Sequence, residues 1–168
     1  GGLRGHSFGN LFLAALTRVT GDFPEAVRLS GQVLAIRGRI FPSTAQNVTL
    51  EAVLEGGRVV RGETKISRSK KRIRRVRLSP RSVRPLPQAL DAIRKADFIF
   101  FGPGSLFTSI IPNLLVRGVV AAMRKSKATR IYVANLMTQP GETQGFSVAD
   151  HVRAIYDHTG PGLFDWII

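Results

Sequence analysis

The pattern of apolar and polar positions changes character along the chain. Leu11 to Val19 recur at helical spacing, with Ser7 or Asn10 placed to cap a helix running to about Val19. The stretch "DFPEAVRLSGQVLAI" predicts a second helix, with Pro24 in its first turn, and the two are expected to pack on each other. The period then shortens. In "VTLEAVL", Val48, Leu50, Ala52 and Leu54 alternate with Thr49, Glu51 and Val53. Gly56-Gly57 turns the chain, and "RVVRGETKI" and "RIRRVRL" supply further strands, so a small antiparallel unit is expected over about 40–79.

From Pro85 onward helices and strands alternate: "PLPQALDAIRKA", "DFIFF", "PNLLVRGVVAAMRKS", "RIYVA", "SVADHVRAIYDH" and "FDWII". This is the βαβ signature of an α/β fold with a parallel sheet. Four successive apolar residues, Phe98 to Phe101, predict a strand buried on both faces. Right-handed crossovers would bring the loops after Phe101 and Ala134 to one carboxyl edge, where ligands of such sheets bind. The whole chain reads as a single, partial α/β domain over 1–168.

Composition narrows the chemistry. At 168 residues and 43% hydrophobic, the chain is long enough for one proper core. It has no cysteine, which excludes a disulfide framework and thiolate chemistry. Phe98 to Val116 carries no charge, but Gly102, Pro103, Gly104, Pro112 and Asn113 interrupt it, so a soluble protein is expected and not a membrane span. The chain opens on Gly1-Gly2 without a start methionine or a leader pattern, and reads as a piece of something longer. The net charge of +14 is concentrated: residues 58 to 84 hold 12 of the 25 basic side chains and one acid, Glu63. Such a run is a solvated face, a nucleic-acid contact or a site for an acidic partner. Residues 58 to 84 contain no aromatic side chain for base stacking, which disfavours nucleic acid.

Candidate chemistry gathers in two loops. In "GPGSLFTS", Gly102 and Gly104 flank Pro103, and the amides after Gly104 with the hydroxyls of Ser105, Thr108 and Ser109 could receive a phosphate. An ordinary strand-to-helix turn capped by Ser105 stands beside that reading. The second loop, "NLMTQPGETQG", offers Asn135, Thr138, Gln139, Glu142 and Thr143 to a sugar or base. Ser147 and Asp150 form a capping-box variant at the next helix. In "RGHSFGN", His6 could touch phosphate or move a proton, with capping by Ser7 as the simpler account. His151 and His158 are too far apart along one helix for a shared metal, and His158 is expected to face the helix's negative end. No pair of acids has metal or acid–base spacing, and no self-sufficient catalytic centre is visible.

Three long stretches, "RGHSFGNLFLAAL", "GPGSLFTSIIPNLLV" and "NLMTQPGETQGFSVADHV", closely resemble the bacterial YvcK-like proteins, often labelled putative gluconeogenesis factors, in one superfamily with the 2-phospho-L-lactate transferase CofD. The resemblance implies a Rossmann-like parallel sheet with helices on both faces, besides the small basic antiparallel unit. It implies a cytoplasmic regulatory protein that binds a UDP-sugar or other nucleotide ligand and links carbon metabolism to cell-wall synthesis and cell shape. A homo-oligomer is a separate expectation that the resemblance does not carry. By it, Gly102, Pro103, Gly104, Ser105, Thr108 and Ser109 inherit a phosphate-binding role. Asn135, Thr138 and Gln139 follow as pocket residues, and His6, Ser7 and Asn10 as neighbours of the same ligand. A transferase moving a phospholactyl group from a nucleotide diphosphate to an alcohol is the alternative, and nucleic-acid binding through 58–84 the third. The family's glycine-rich first turn is missing from this chain, and family members continue past the position of Ile168.

Overall fold

The structure, a computed structural model, describes residues 7–69 and 71–168. The first helix, α1 (Phe8–Thr20), is capped by Ser7, whose hydroxyl accepts the Asn10 N–H at 3.3 Å. Helix α2 (Phe23–Val33) starts at Asp22, whose carboxylate accepts from Glu25, with Pro24 in its first turn, and packs against α1.

Strands β1 (Thr49–Leu54), β2 (Val59–Arg61) and β3 (Ile73–Ser79) form an antiparallel sheet in the order β2-β1-β3. Both glycines of the β1–β2 turn have positive φ, +85° at Gly56 and +81° at Gly57, a region that L side chains rarely enter. Glu51 lies directly across from Arg61 on one side and Arg77 on the other. Its carboxylate receives Arg77 at 2.6 Å and Arg61 at 2.7 Å. The Arg77 hydrogen bond, with the charge of Arg61, holds that carboxyl below the usual carboxylate range. The second half of "RVVRGETKI" departs from expectation: after Arg61 the chain turns into a short helix, α3 (Glu63–Ser67), which buries Ile66. Gly62 makes that turn possible with φ +89°.

Helix α4 (Pro87–Lys95) leads into β4 (Phe98–Phe101). A π-helical turn, Leu106–Ile110, runs directly into α5 (Ile111–Leu114), the Ile111 N–H reaching back to the Leu106 carbonyl, and Pro112 stands in the first turn of α5. The expected continuous helix from Pro112 to Ser126 is broken. Gly118 takes φ +82°, and α6 (Val119–Lys125) starts anew. Strands β5 (Thr129–Tyr132) and β6 (Trp166–Ile167), joined through α7 (Val148–Thr159), complete a parallel sheet in the order β4-β5-β6. The architecture is therefore α/β with a parallel sheet and helices.

One apolar cluster links the two sheets. Leu54, Val76 and Leu78 from the antiparallel sheet join Phe101, Phe107, Ile111, Tyr132 and Ile155. Complete burial of a side chain such as Ile111 contributes about 1.5–3 kcal/mol. Below the parallel sheet, Phe164 packs on Phe101, Tyr132 and Tyr156 with ring centroids 4.8, 5.2 and 5.7 Å away. The expectation that Phe98 to Phe101 are all buried is corrected: Ile99 and Phe101 are, whereas Phe98 and Phe100 remain 60% and 61% exposed. Alternate residues of a strand face opposite sides, and Phe98 and Phe100 share the more exposed one. Among the described residues, no single helix is long and apolar enough to cross a membrane.

Candidate functional site

Parallel pairing of β4 with β5, Phe101 opposite Tyr132, delivers both following loops to one edge of the sheet. At the end of β4 the backbone turns at Gly102 with φ +80°, where a Cβ would stand 2.9 Å from the Val133 carbonyl oxygen. Both the angle and the close approach require glycine. Gly102 joins Pro103 through a cis peptide bond, and Gly104 then meets the second loop. The Gly104 N–H donates to Asn135 Oδ1 at 3.0 Å, and Asn135 Nδ2 donates back to the Gly104 carbonyl at 2.9 Å. One side-chain amide thus satisfies both backbone polar groups of Gly104.

Ser105 occupies the position before the π-helical turn, but its hydroxyl makes no capping bond. Instead its carbonyl accepts the N–H groups of Ser109 and Ile110, both at 2.9 Å. An anion does sit beside the start of this turn, and it belongs to the protein. The Glu142 carboxylate, only 6% exposed, accepts the Phe107 N–H at 3.2 Å and the Thr108 hydroxyl at 2.8 Å. It also accepts the Ser67 hydroxyl at 3.1 Å, so one side chain ties the second carboxyl-edge loop to the first and to α3. Ser105 and Ser109 retain hydroxyls without a protein partner among the described residues, unlike Thr108.

In the second loop, the Gln139 N–H donates to Thr143 Oγ1 at 2.9 Å, and its carbonyl accepts from Thr143 at 2.9 Å. The Gln139 Oε1 is buried with no hydrogen-bond partner among the described residues. Thr138 lies exposed on the same loop. Ser7 and Asn10 are engaged with each other at the start of α1, and no described hydrogen bond joins them to either carboxyl-edge loop. His6 lies outside the described residues.

The histidines of α7 have structural partners. His151 is buried, its Nδ1 2.8 Å from the Ser147 carbonyl, and its ring meets Phe146 edge to face. His158 does more than face the helix terminus. Its Nδ1 lies 2.6 Å from the Ala154 carbonyl, and Nε2 accepts the Val76 N–H at 3.0 Å, so the proton belongs on Nδ1 and the ring joins α7 to β3. Burial pushes its pKa below the ordinary histidine value. Ser147 and Asp150 form the expected reciprocal cap of α7.

A cleft of about 660 Å³ opens beside Glu142, between the α3–β3 connection and the end of the second loop. Arg68, Lys71 and Arg72 line one wall; Gln144, Gly145 and Phe146 line the other. Gly141 lets the walls meet: with φ +82°, it lies where a Cβ would collide with the Ser67 carbonyl and come within 3.2 Å of that of Ser69. The role of Glu142 as a buried tie was not legible as such, although Glu142 is the one charge between Asn135 and Phe146. A lone charge in a polar loop is the signal that could have singled it out.

Comparisons with known proteins bear on the family and the fold. The family described as 2-phospho-L-lactate transferase CofD matches residues 1–168. The chain is similar to the gluconeogenesis factor of Bacillus subtilis, 49% identical over 99% of this chain, and to that of Halalkalibacterium halodurans, 47% identical over 99%. A putative gluconeogenesis factor of Thermotoga maritima is 54% identical over 92% of this chain. The chain spans about half the length of these relatives, 52%, 52% and 49% respectively. The fold matches a crystal structure of a UPF0052 family member from Bacillus halodurans with a TM-score of 0.91 at 47% identity, covering 99% of this chain and 54% of that one. With a match that runs from the first residue to the last, and relatives near half identity throughout, this chain belongs to the CofD family.

Proposed function

We propose that this chain forms the carboxyl-edge half of a binding site for a nucleotide-linked ligand such as a UDP-sugar, in a protein that regulates carbon metabolism and, through it, cell-wall synthesis and cell shape in the cytoplasm. The observation that carries this reading is the joining of the two carboxyl-edge loops: Asn135 to Gly104, and Glu142 to Phe107 and Thr108. Loops so joined form a rigid rim at the place where open α/β sheets receive ligands. Ser105 and Ser109 offer hydroxyls to phosphate oxygens there, with Gly102, Pro103 and Gly104 shaping the turn. Thr138 and the unpartnered Gln139 Oε1 suit a sugar or base. Thr108 acts on the ligand indirectly, by holding Glu142. The name borne by the relatives, gluconeogenesis factor, favours the metabolic role.

Calorimetric titration of the full-length protein with a UDP-sugar tests this. Substituting Ser105→Ala with Ser109→Ala is expected to weaken binding about tenfold or more, since hydrogen bonds to charged oxygens contribute about 1.5–3 kcal/mol. Unchanged affinity in that variant would remove the phosphate from this loop. The name of the matching family supports a second reading, transfer of a phospholactyl group from a nucleotide diphosphate. Release of the nucleotide product on adding such a donor and an alcohol acceptor would establish it in place of regulation.

A further inference from the structure

The cationic cleft beside Glu142 answers to a different ligand requirement from the carboxyl-edge loops. Of the basic residues gathered in 58–84, Arg61 and Arg77 are engaged with Glu51, and Arg74 lies 3.4 Å from Glu55. Arg68, Lys71 and Arg72 form no ion pair among the described residues. All three nevertheless line one concavity, with the Arg72 guanidinium 5.4 Å from the centre of the Phe146 ring. The two carboxylates on the same lining are turned to the protein: Glu142 to Ser67, Thr108 and Phe107, and Asp150 to Ser147 and Arg153. Like charges brought together around a hollow repel one another, and an anion entering the hollow removes that repulsion.

The hollow also extends. A second depression of about 490 Å³ shares Arg68, Ser69 and Lys71 with the first and adds Arg58 and Lys65. Cations spread over two adjoining depressions match an anion with charge on more than one centre better than a single phosphate. A nucleic-acid backbone would meet protruding charges and favour aromatic platforms, whereas these charges face a cleft and residues 58–84 hold no aromatic side chain.

We propose that the cleft between the α3–β3 connection and Gln144–Phe146 is a second anion site, binding a small molecule with two or more phosphates through Arg68, Lys71 and Arg72. Arg68 and Lys71 approach the phosphates from the α3–β3 side. Gln144 and the Ser69 hydroxyl supply neutral hydrogen bonds from the lining. Gly141 keeps the two walls in register, because any side chain there would force them apart. The proposal does not depend on ligand binding by Ser105 and Ser109.

The test is calorimetric titration of the full-length protein with inorganic pyrophosphate and, separately, with a single-stranded oligonucleotide, at fixed salt. Three proteins are compared: wild type, Arg68→Ser with Lys71→Ser, and Arg75→Ser with Arg81→Ser, which removes equal charge from exposed positions outside the cleft. The expected result is pyrophosphate binding that weakens at least about tenfold in the first variant and less than about twofold in the second. Equal weakening in both variants would reduce the effect to net charge and overturn the site. Absence of pyrophosphate binding by folded wild type, or oligonucleotide binding that depends on Arg68 and Lys71 while pyrophosphate binding does not, would overturn it as well. A UDP-sugar titration of the first variant separates the two sites: retained affinity leaves the carboxyl-edge reading standing whatever pyrophosphate does.

Discussion

Two regions of this molecule invite a negatively charged partner in sequence, one by its turn and one by its charge, and they have opposite structures. The turn at 102–109 has the glycines, hydroxyls and amides of a phosphate loop, yet Asn135 and Glu142 already satisfy several of its donors. The basic run around α3 and β3 has no such pattern, only charge, and Arg68, Lys71 and Arg72 line a cleft with no ion-pair partner among the described residues. The difference teaches that donors at a turn are as readily answered from within the protein as by a ligand. A buried N–H must find an acceptor, and a carboxylate from a neighbouring loop serves. Exposed cations carry no such requirement, so their arrangement around a hollow is the better sign of an external partner.

The sharpest way to break this contrast is at Glu142. Replacing Glu142→Ala leaves the Phe107 N–H without its acceptor and the Thr108 and Ser67 hydroxyls without theirs, and is expected to cost about 2–4 kcal/mol in chemical denaturation. A loss below about 0.5 kcal/mol would show that the carboxylate is no structural tie. Asn135→Ala comes next. It removes both bonds to Gly104, and the expected loss is about 1–2 kcal/mol, with Asn135→Asp recovering only the interaction with the Gly104 N–H.

His158 gives a smaller effect along the pH axis, and it stands between the two regions, joining β3 to α7 behind Phe107. Its folded-state pKa lies below the ordinary value of 6.5, so the unfolded chain binds the proton more readily. The stability that neutral His158 supports is complete above about pH 6.5 and is lost as pH falls through its folded pKa. Thermal melts at stepped pH between 7.5 and 5 should show this decline in wild type and a flatter profile in His158→Gln, where the side-chain carbonyl can still accept the Val76 N–H. Parallel profiles would assign the decline to other groups. The smallest effect is expected on the cationic side: Arg68→Ser with Lys71→Ser should change stability by under about 0.5 kcal/mol, since both side chains are exposed and form no ion pair among the described residues. A larger loss would make those residues part of the fold and not of a ligand site.

Much of the local structure was legible before the fold. Ser7 caps α1, Asp22 and Pro24 start α2, Gly56-Gly57 turns the hairpin, and Ser147 with Asp150 begins α7, because each depends on residues within a few positions. The two carboxyl-edge loops followed from the βαβ alternation. What was misread depended on contacts far along the chain. "GETKI" looked like strand but coils into α3 to bury Ile66, and the helix expected over Pro112 to Ser126 breaks at Gly118. Phe98 and Phe100 read as core because four apolar residues in a row carry no information about which sheet face is covered.

The sequence by itself determined the starts of α1, α2 and α7, the alternation that makes the second half a parallel sheet and the place of the basic charge, since these rest on short-range patterns of capping, period and composition; the family was legible in the three long motifs. Only the tertiary structure decided which polar groups are already satisfied. Glu142 is 34 residues from Thr108 and 75 from Ser67 along the chain, and Arg68 reaches the neighbourhood of Phe146 only through the packing of α3 against the second loop. Whether a donor is open to a ligand depends on which distant acceptor folding brings within about 3 Å, and no local pattern encodes that distance.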